Sequence, residues 1–398
     1  MSVTDPLLSF RAEFPILERT TYLVSNSLGA MPRAVPERLA EYVDQWAELG
    51  VRAWAKGWWS MPVTVGDEIA PLIGAGQGEV AMLPNVTIAQ TSVLSALDYS
   101  APRDTIVMTE LDFPSVRYVY DELATRLGAR IVVVPSEDGI TIDTQRVLDA
   151  IDDRTRLVAI SHVLFRSAFI MDAPAICARA REVGALVSLD AFHSVGVMPV
   201  DVKALGVDFL SGGVLKWLCG GPGGCFLYAS PEATRALSPA FTGWQAHERP
   251  FAFEGEMQYA EHAWRWLNGT PAIPALYAAT EGPRIICQAG IDAIRAKSVR
   301  QTSRLIELAD ARGYRVSAPR DATVRGGTVA FDVPHAYGVS QALLANDVIV
   351  DYRPGAGIRV GPHFYTTDDE LERVVDMIDG ILSDESWRPF ESRRGTVT

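Results

Sequence analysis

Between residues 74 and 228, short apolar and β-branched runs alternate with stretches of helical spacing. The runs at 105–108, 130–134, 157–160, 185–190, 208–210 and 224–228 are bounded by turn residues or charges, which predicts strands. Helical patterns lie between several of them, as at 173–183 with Ala175, Ile176, Ala178 and Ala180. Alternation of this kind predicts a mainly parallel sheet with helices on both faces. In such folds ligands sit beyond the carboxyl ends of the strands.

The flanks read differently. Val35, Leu39, Tyr42, Val43 and Trp46 recur at three- and four-residue spacing and predict a helix. The aromatic loop Trp54-Ala55-Lys56-Gly57-Trp58-Trp59 reads as a packing plug or a contact between subunits. Beyond about residue 284, a long helical segment (285–309) precedes strand candidates at 327–332 and 348–351 and the run Ile358-Arg359-Val360-Gly361. A last helix over 368–382 has Thr367 as its N-cap and Glu370 three residues on. The chain therefore divides into an N-terminal segment (1–50) packing on a small domain, a large domain (51–283) and that small C-terminal α/β domain (284–398). The last dozen residues read as a loose tail.

Composition narrows the function. A chain of 398 residues exceeds one ordinary domain, and 48% hydrophobic with 21% charged residues can bury a sizeable core. The net charge of −13 argues against a nucleic-acid partner, which needs a basic face. No apolar run is long enough for a membrane span, and Asp5, Arg11 and Glu13 interrupt any leader-like stretch. Cys177, Cys219, Cys225 and Cys287 lack metal-site spacing, so no metal is expected and a reduced, cytoplasmic setting is the simplest reading.

The chemistry concentrates in Val187-Ser188-Leu189-Asp190-Ala191-Phe192-His193 and in Leu215-Lys216-Trp217, just before Gly220-Gly221-Pro222-Gly223-Gly224. An acid at a strand end and a lysine in apolar surroundings are what pyridoxal 5'-phosphate (PLP) requires. The amine bonds the aldehyde, and the carboxylate keeps the pyridine nitrogen protonated so that the ring withdraws electrons. Either residue alone would read as an ordinary strand end or a solvated lysine.

These residues carry a resemblance to the class V group of fold-type I PLP enzymes, and within it to the kynureninases. It rests on Asp190-x-x-His193, Lys216-Trp217-Leu218 before the glycine-rich run, Gly243-Trp244-x-x-His247-Glu248, Phe113-Pro114-Ser115 and Asn26-Ser27-Leu28-Gly29. The resemblance implies an α/β fold with a mainly parallel seven-stranded sheet and active sites shared in a homodimer. It implies Lys216 as the Schiff-base lysine and general acid/base, with Asp190 on the pyridine nitrogen. Phe113 would stack on the ring, Val86 and Thr87 would hold the phosphate, and Ser161 and His193 would contact the cofactor. Trp244 would reach the phosphate region. Arg359 matches the arginine that takes the substrate α-carboxylate, with Asn26 capping the same group, and a planar fork of donors suits that task.

The chain also departs from the kynureninases. Leu215 stands where they usually carry Tyr, and Val116 where they usually carry Asp. Gly269-Thr270-Pro271 is similar to other class V members, whose Thr reaches the neighbouring subunit's phosphate. Either Asn268 or Thr270 occupies the position of a kynureninase substrate-binding Asn. The leading expectation is cleavage at the β-carbon side of an L-amino acid, in its most concrete form hydrolysis of a kynurenine-type substrate. The alternatives are C–S β-elimination of an S-substituted cysteine, decarboxylation-linked deamination and transamination. A PLP-fold regulator without turnover sits poorly with an intact Lys216–Asp190 pair.

Overall fold

The structure, a computed structural model, describes residues 5–391. Its strands are β1 (Thr21–Tyr22), β2 (Val80–Leu83), β3 (Thr105–Thr109), β4 (Arg130–Val134), β5 (Thr155–Ser161), β6 (Leu186–Asp190) and β7 (Phe209–Gly213). They continue as β8 (Cys225–Ala229), β9 (Arg315–Val316), β10 (Val329–Asp332), β11 (Val348–Ile349), β12 (Asp351–Arg353) and β13 (Gly357–Val360). Seven of them form the main sheet in the order β2-β8-β7-β6-β5-β3-β4. Only β8 runs antiparallel to its neighbours.

This sheet is apolar on both faces, as buried parallel strands are. Successive residues feed opposite layers. Val158 and Ile160 join one buried cluster with Val187, Leu189 and Phe226. Leu157 and Ala159 join the other with Ile106, Met108 and Leu227. The strand β2 was not foreseen, because Val-Ala-Met-Leu offers a single β-branched residue and no alternation.

A four-stranded antiparallel sheet, β12-β13-β10-β9, carries a third cluster with Leu305, Phe331, Leu371 and Ile378. The apolar run 348–351 is split between two sheets: β11 pairs in parallel with β1, while β12 joins the four-stranded sheet. The expected single helix over 285–309 is two, Glu281–Ala289 and Ile291–Asp310, because Gly290 between them has φ +82°. The last long helix, Asp368–Ser383, has its full capping box from Thr367 and Glu370. Of the expected loose tail, Trp387 and Phe390 pack on the third cluster; residues 392–398 lie outside the described part. Helix α1 (Val35–Leu49) forms as its spacing predicts, yet Leu39, Val43 and Trp46 face outward. Among the described residues no helix is long and apolar enough to cross a membrane.

Candidate active site

Strand ends bring the chemistry together. Asp190 is the last residue of β6, and its neighbours in register are Ser161, the last of β5, and Ser211 of β7. Asp190 is buried, and Phe192 N–H donates to its Oδ1 at 3.0 Å. Lys216 lies in the glycine-rich connection between β7 and β8. The N-terminal turn lies directly on it: Gly29 N–H donates to Leu215 O at 2.7 Å, and a Cβ at residue 29 would stand 2.1 Å from Lys216 O. Only glycine admits that approach.

The Lys216 amine is 2.7 Å from His193 Nε2 and 5.5 and 5.4 Å from the ring centres of Phe113 and Phe192. Burial pushes the Lys216 amine well below the ordinary lysine range, with Arg359 and Arg353 adding to the effect and Asp190 and Asp351 opposing it. Burial also lowers His193, and the Lys216 and Arg359 charges reinforce it. Asp190 moves the other way: desolvation raises it, against the Phe192 N–H bond and Lys216. A low-dielectric pocket thus favours neutral amine and imidazole.

One pocket is lined by Val86, Phe113, Ser161, Asp190, His193 and Lys216, joined by Val163, Phe165 and Phe192. Val86 opens the helix α2 (Val86–Ser95), whose N-cap Asn85 accepts from Ile88 N–H at 3.1 Å. The first-turn N–H groups of Val86 and Thr87 have no helical acceptor and suit a phosphate. Phe113 is the N-cap of the next helix, Pro114–Leu127, and its ring meets Phe165 edge-on at 5.3 Å. An amine, a buried carboxylate, an aromatic wall and an open helix start are the donor set PLP needs, so the residues present fit the cofactor.

Six of the twelve expected residues, Thr87, Asn26, Arg359, Asn268, Thr270 and Trp244, do not line this pocket. Asn268 and Thr270 line a separate cavity with Pro84 and Ile88, beside the start of α2. Trp244 is 38% exposed, against Trp59 and Phe251. Phe241, Phe253 and Met257 are exposed nearby in sequence. The aromatic loop is partly a plug: Trp58 is buried, stacks on Tyr42 at 5.3 Å and donates from Nε1 to Tyr277 OH at 3.2 Å.

Arg359 departs from its expected state. It is buried, but it already has an acid: Nε donates to Asp351 Oδ1 at 2.9 Å, Nη2 donates to Asp351 Oδ2, and Nη1 donates to Phe165 O at 2.5 Å. Asn26 is buried, neither side-chain polar atom has a partner, and its side chain abuts Gly361, two residues from Arg359.

Two acids escaped the sequence reading. Asp112 is buried and accepts Thr109 N–H at 2.7 Å and Ser161 N–H at 2.6 Å, tying β3 to the end of β5. Its adjacency to Phe113 was the available signal. Asp351 is the direct cross-strand partner of Arg359. A hairpin centred on Gly355 would have predicted that pairing.

A lysine and an aspartate brought together at the carboxyl ends of a doubly wound sheet define a fold-type I PLP-dependent enzyme. The Aminotransferase class-V pattern matches residues 21–373, and the chain belongs to that family. It is 33% identical to the kynureninase of Burkholderia pseudomallei (strain K96243), over 99% of this chain and 97% of that one. It is 32% identical to the kynureninase of Pseudomonas fluorescens, over 97% and 95% of the two chains. Among solved structures, an apo cysteine desulfurase from Thermococcus onnurineus NA1 superposes with a TM-score of 0.84 at 23% identity, covering 96% of this chain and 99% of that one. A variant of C-DES with glycine covalently linked to its PLP cofactor gives 0.84 at 20% identity, covering 92% and 98%.

Proposed function

We propose that the protein cleaves an L-amino acid at its β-carbon, in the manner of a kynureninase, releasing alanine from a kynurenine-type substrate. The observation that carries this reading is the single pocket holding Lys216, Asp190, His193, Phe113, Ser161 and Val86, in a chain one-third identical to kynureninases along nearly its whole length. PLP, when bound, supplies an electron sink for charge that develops at the substrate α-carbon. Lys216 holds the cofactor, and its amine then moves protons as general acid and base. Its lowered proton affinity keeps the amine free to accept a proton near neutral pH. His193, its proton affinity also lowered by burial, shares a hydrogen bond with that amine. Asp190 would pair with the ring nitrogen, and the first-turn N–H groups of Val86 and Thr87 would hold the phosphate. Arg359 receives the α-carboxylate and Asn26 caps it.

We place two copies of the chain around each site. Trp244, Phe251, Phe253 and Thr270 are exposed, and an aromatic surface of this kind suits a partner subunit that brings Trp244 and Thr270 to the other copy's phosphate.

One alternative has support of its own. Val116 and Leu215 stand where kynureninases usually carry Asp and Tyr, and Val116 is buried in an apolar cluster with Tyr120. That favours β-elimination from an S-substituted cysteine as the second reading. Mass spectrometry of the products after incubating the PLP-loaded protein with L-kynurenine decides between them. Anthranilate plus alanine is the expected result. No cleavage of L-kynurenine, with pyruvate and a thiol formed from an S-substituted cysteine, contradicts it.

A further inference from the structure

Asp351 and Arg359 stand directly opposite each other on β12 and β13, so the hairpin register brings a buried acid to a buried guanidinium. Asp351 accepts from Nε at 2.9 Å and also from Nη2, and closes one edge of the fork. Phe165 O takes an N–H from Nη1 at 2.5 Å. A guanidinium has five N–H donors. Three are committed, which leaves one on each terminal nitrogen for a ligand. Phe165 also lines the pocket of Lys216, so the fork borders the reaction centre. A second cation is present: Arg353 Nη2 lies 3.2 Å from Asp351 Oδ2.

Long arginine side chains lose much rotamer freedom when fixed, and a site that holds them beforehand spares the ligand that cost. We propose that Asp351 is the positioning residue for substrate recognition: it locks the Nε–Nη2 edge of Arg359 so that the two remaining terminal N–H groups face the α-carboxylate. The inference rests on the amino-acid reading above and adds to it a residue that never touches substrate.

The test compares L-alanine with L-alaninamide, which lacks the carboxylate, by the absorbance change of the PLP-loaded protein. This reads binding, not turnover. The parent protein binds L-alanine more tightly than the amide by on the order of tenfold or more, as loss of a charge-assisted pair predicts. In Asp351→Asn, L-alanine binding weakens by about the same factor while amide binding is unchanged. Removing an acid raises the positive charge beside the substrate, so an acid that merely neutralised charge would give the opposite sign. Tighter L-alanine binding in the variant, or equal weakening of both ligands, overturns the proposal. Asp351→Glu keeps the charge and moves the carboxylate by one methylene. It is expected to show the same selective loss, and it serves if the Asn variant does not fold; unchanged discrimination in it overturns the proposal too. If the parent fails to respond to L-alanine at all, the amino-acid reading falls and this assignment with it.

Discussion

Lys216 Nζ and His193 Nε2 are 2.7 Å apart at the mouth of the parallel strands, and burial depresses the proton affinity of both. Two bases this close do not both carry protons, and the contact is satisfied by a neutral amine donating to a neutral imidazole.

The first consequence is a pH dependence of cofactor capture. Only the unprotonated amine attacks an aldehyde, and the Lys216 pKa is lowered. The rate at which cofactor-free protein takes up PLP should therefore rise with pH and level off well below the ordinary lysine value of about 10.4. Stopped-flow absorbance from about pH 6 to about pH 11.5 measures it, a range that brackets the lysine reference. A midpoint at or above that reference value contradicts the lowered affinity.

Asp190→Asn retains the shape of the strand end and removes the charge. Turnover should fall on the order of a hundredfold or more, as when a charge-stabilising group is removed. The thermal midpoint of the cofactor-free protein should stay the same or rise, because a buried carboxylate is itself costly. Steady-state rates and melting curves check this together. Near-parental turnover would remove Asp190 from the mechanism.

Asp112 acts through the backbone. Asp112→Ala leaves the N–H groups of Thr109 and Ser161 without their acceptor. Two buried donors left unmade cost about 2–6 kcal/mol. Chemical denaturation should show a loss in that range, together with weaker cofactor binding as Ser161 shifts. Stability within about 0.5 kcal/mol of the parent, as for an ordinary surface change, contradicts the tie.

Thr270→Ala tests the shared site. Thr270 is exposed and borders the cavity beside Pro84 and Ile88. The variant should release PLP more readily while the cofactor-free protein melts as the parent does. Equilibrium dialysis gives the first quantity and calorimetry the second. Unchanged PLP affinity removes Thr270 from the phosphate site.

The sheet was readable because its central strands are buried on both faces and carry β-branched runs, as at Thr105–Thr109 with Ile106 and Val107. The short β2, Val80–Leu83, carries no such signal and takes its place only by pairing with β8. Local sequence also marked Asp190 and Lys216, since each stands beside a strand or a glycine-rich turn. Arg359 shows where that reading stops. The family match marked it, but not the acid that pairs with it, Asp351, eight residues away and opposite only through the hairpin register. Likewise Trp244 and Thr270 do not line the Lys216 pocket, a separation that no local pattern in the sequence shows.

Lys216 is the residue we propose to hold the cofactor in this pocket. Borohydride reduction of the PLP-loaded protein followed by peptide mass mapping tests this most directly. The account predicts one phosphopyridoxyl group, on Lys216, and none in Lys216→Ala, with the fold of that variant intact by circular dichroism. Labelling of another lysine at full yield, or a Lys216→Ala protein that still turns over at the parental rate, would contradict it.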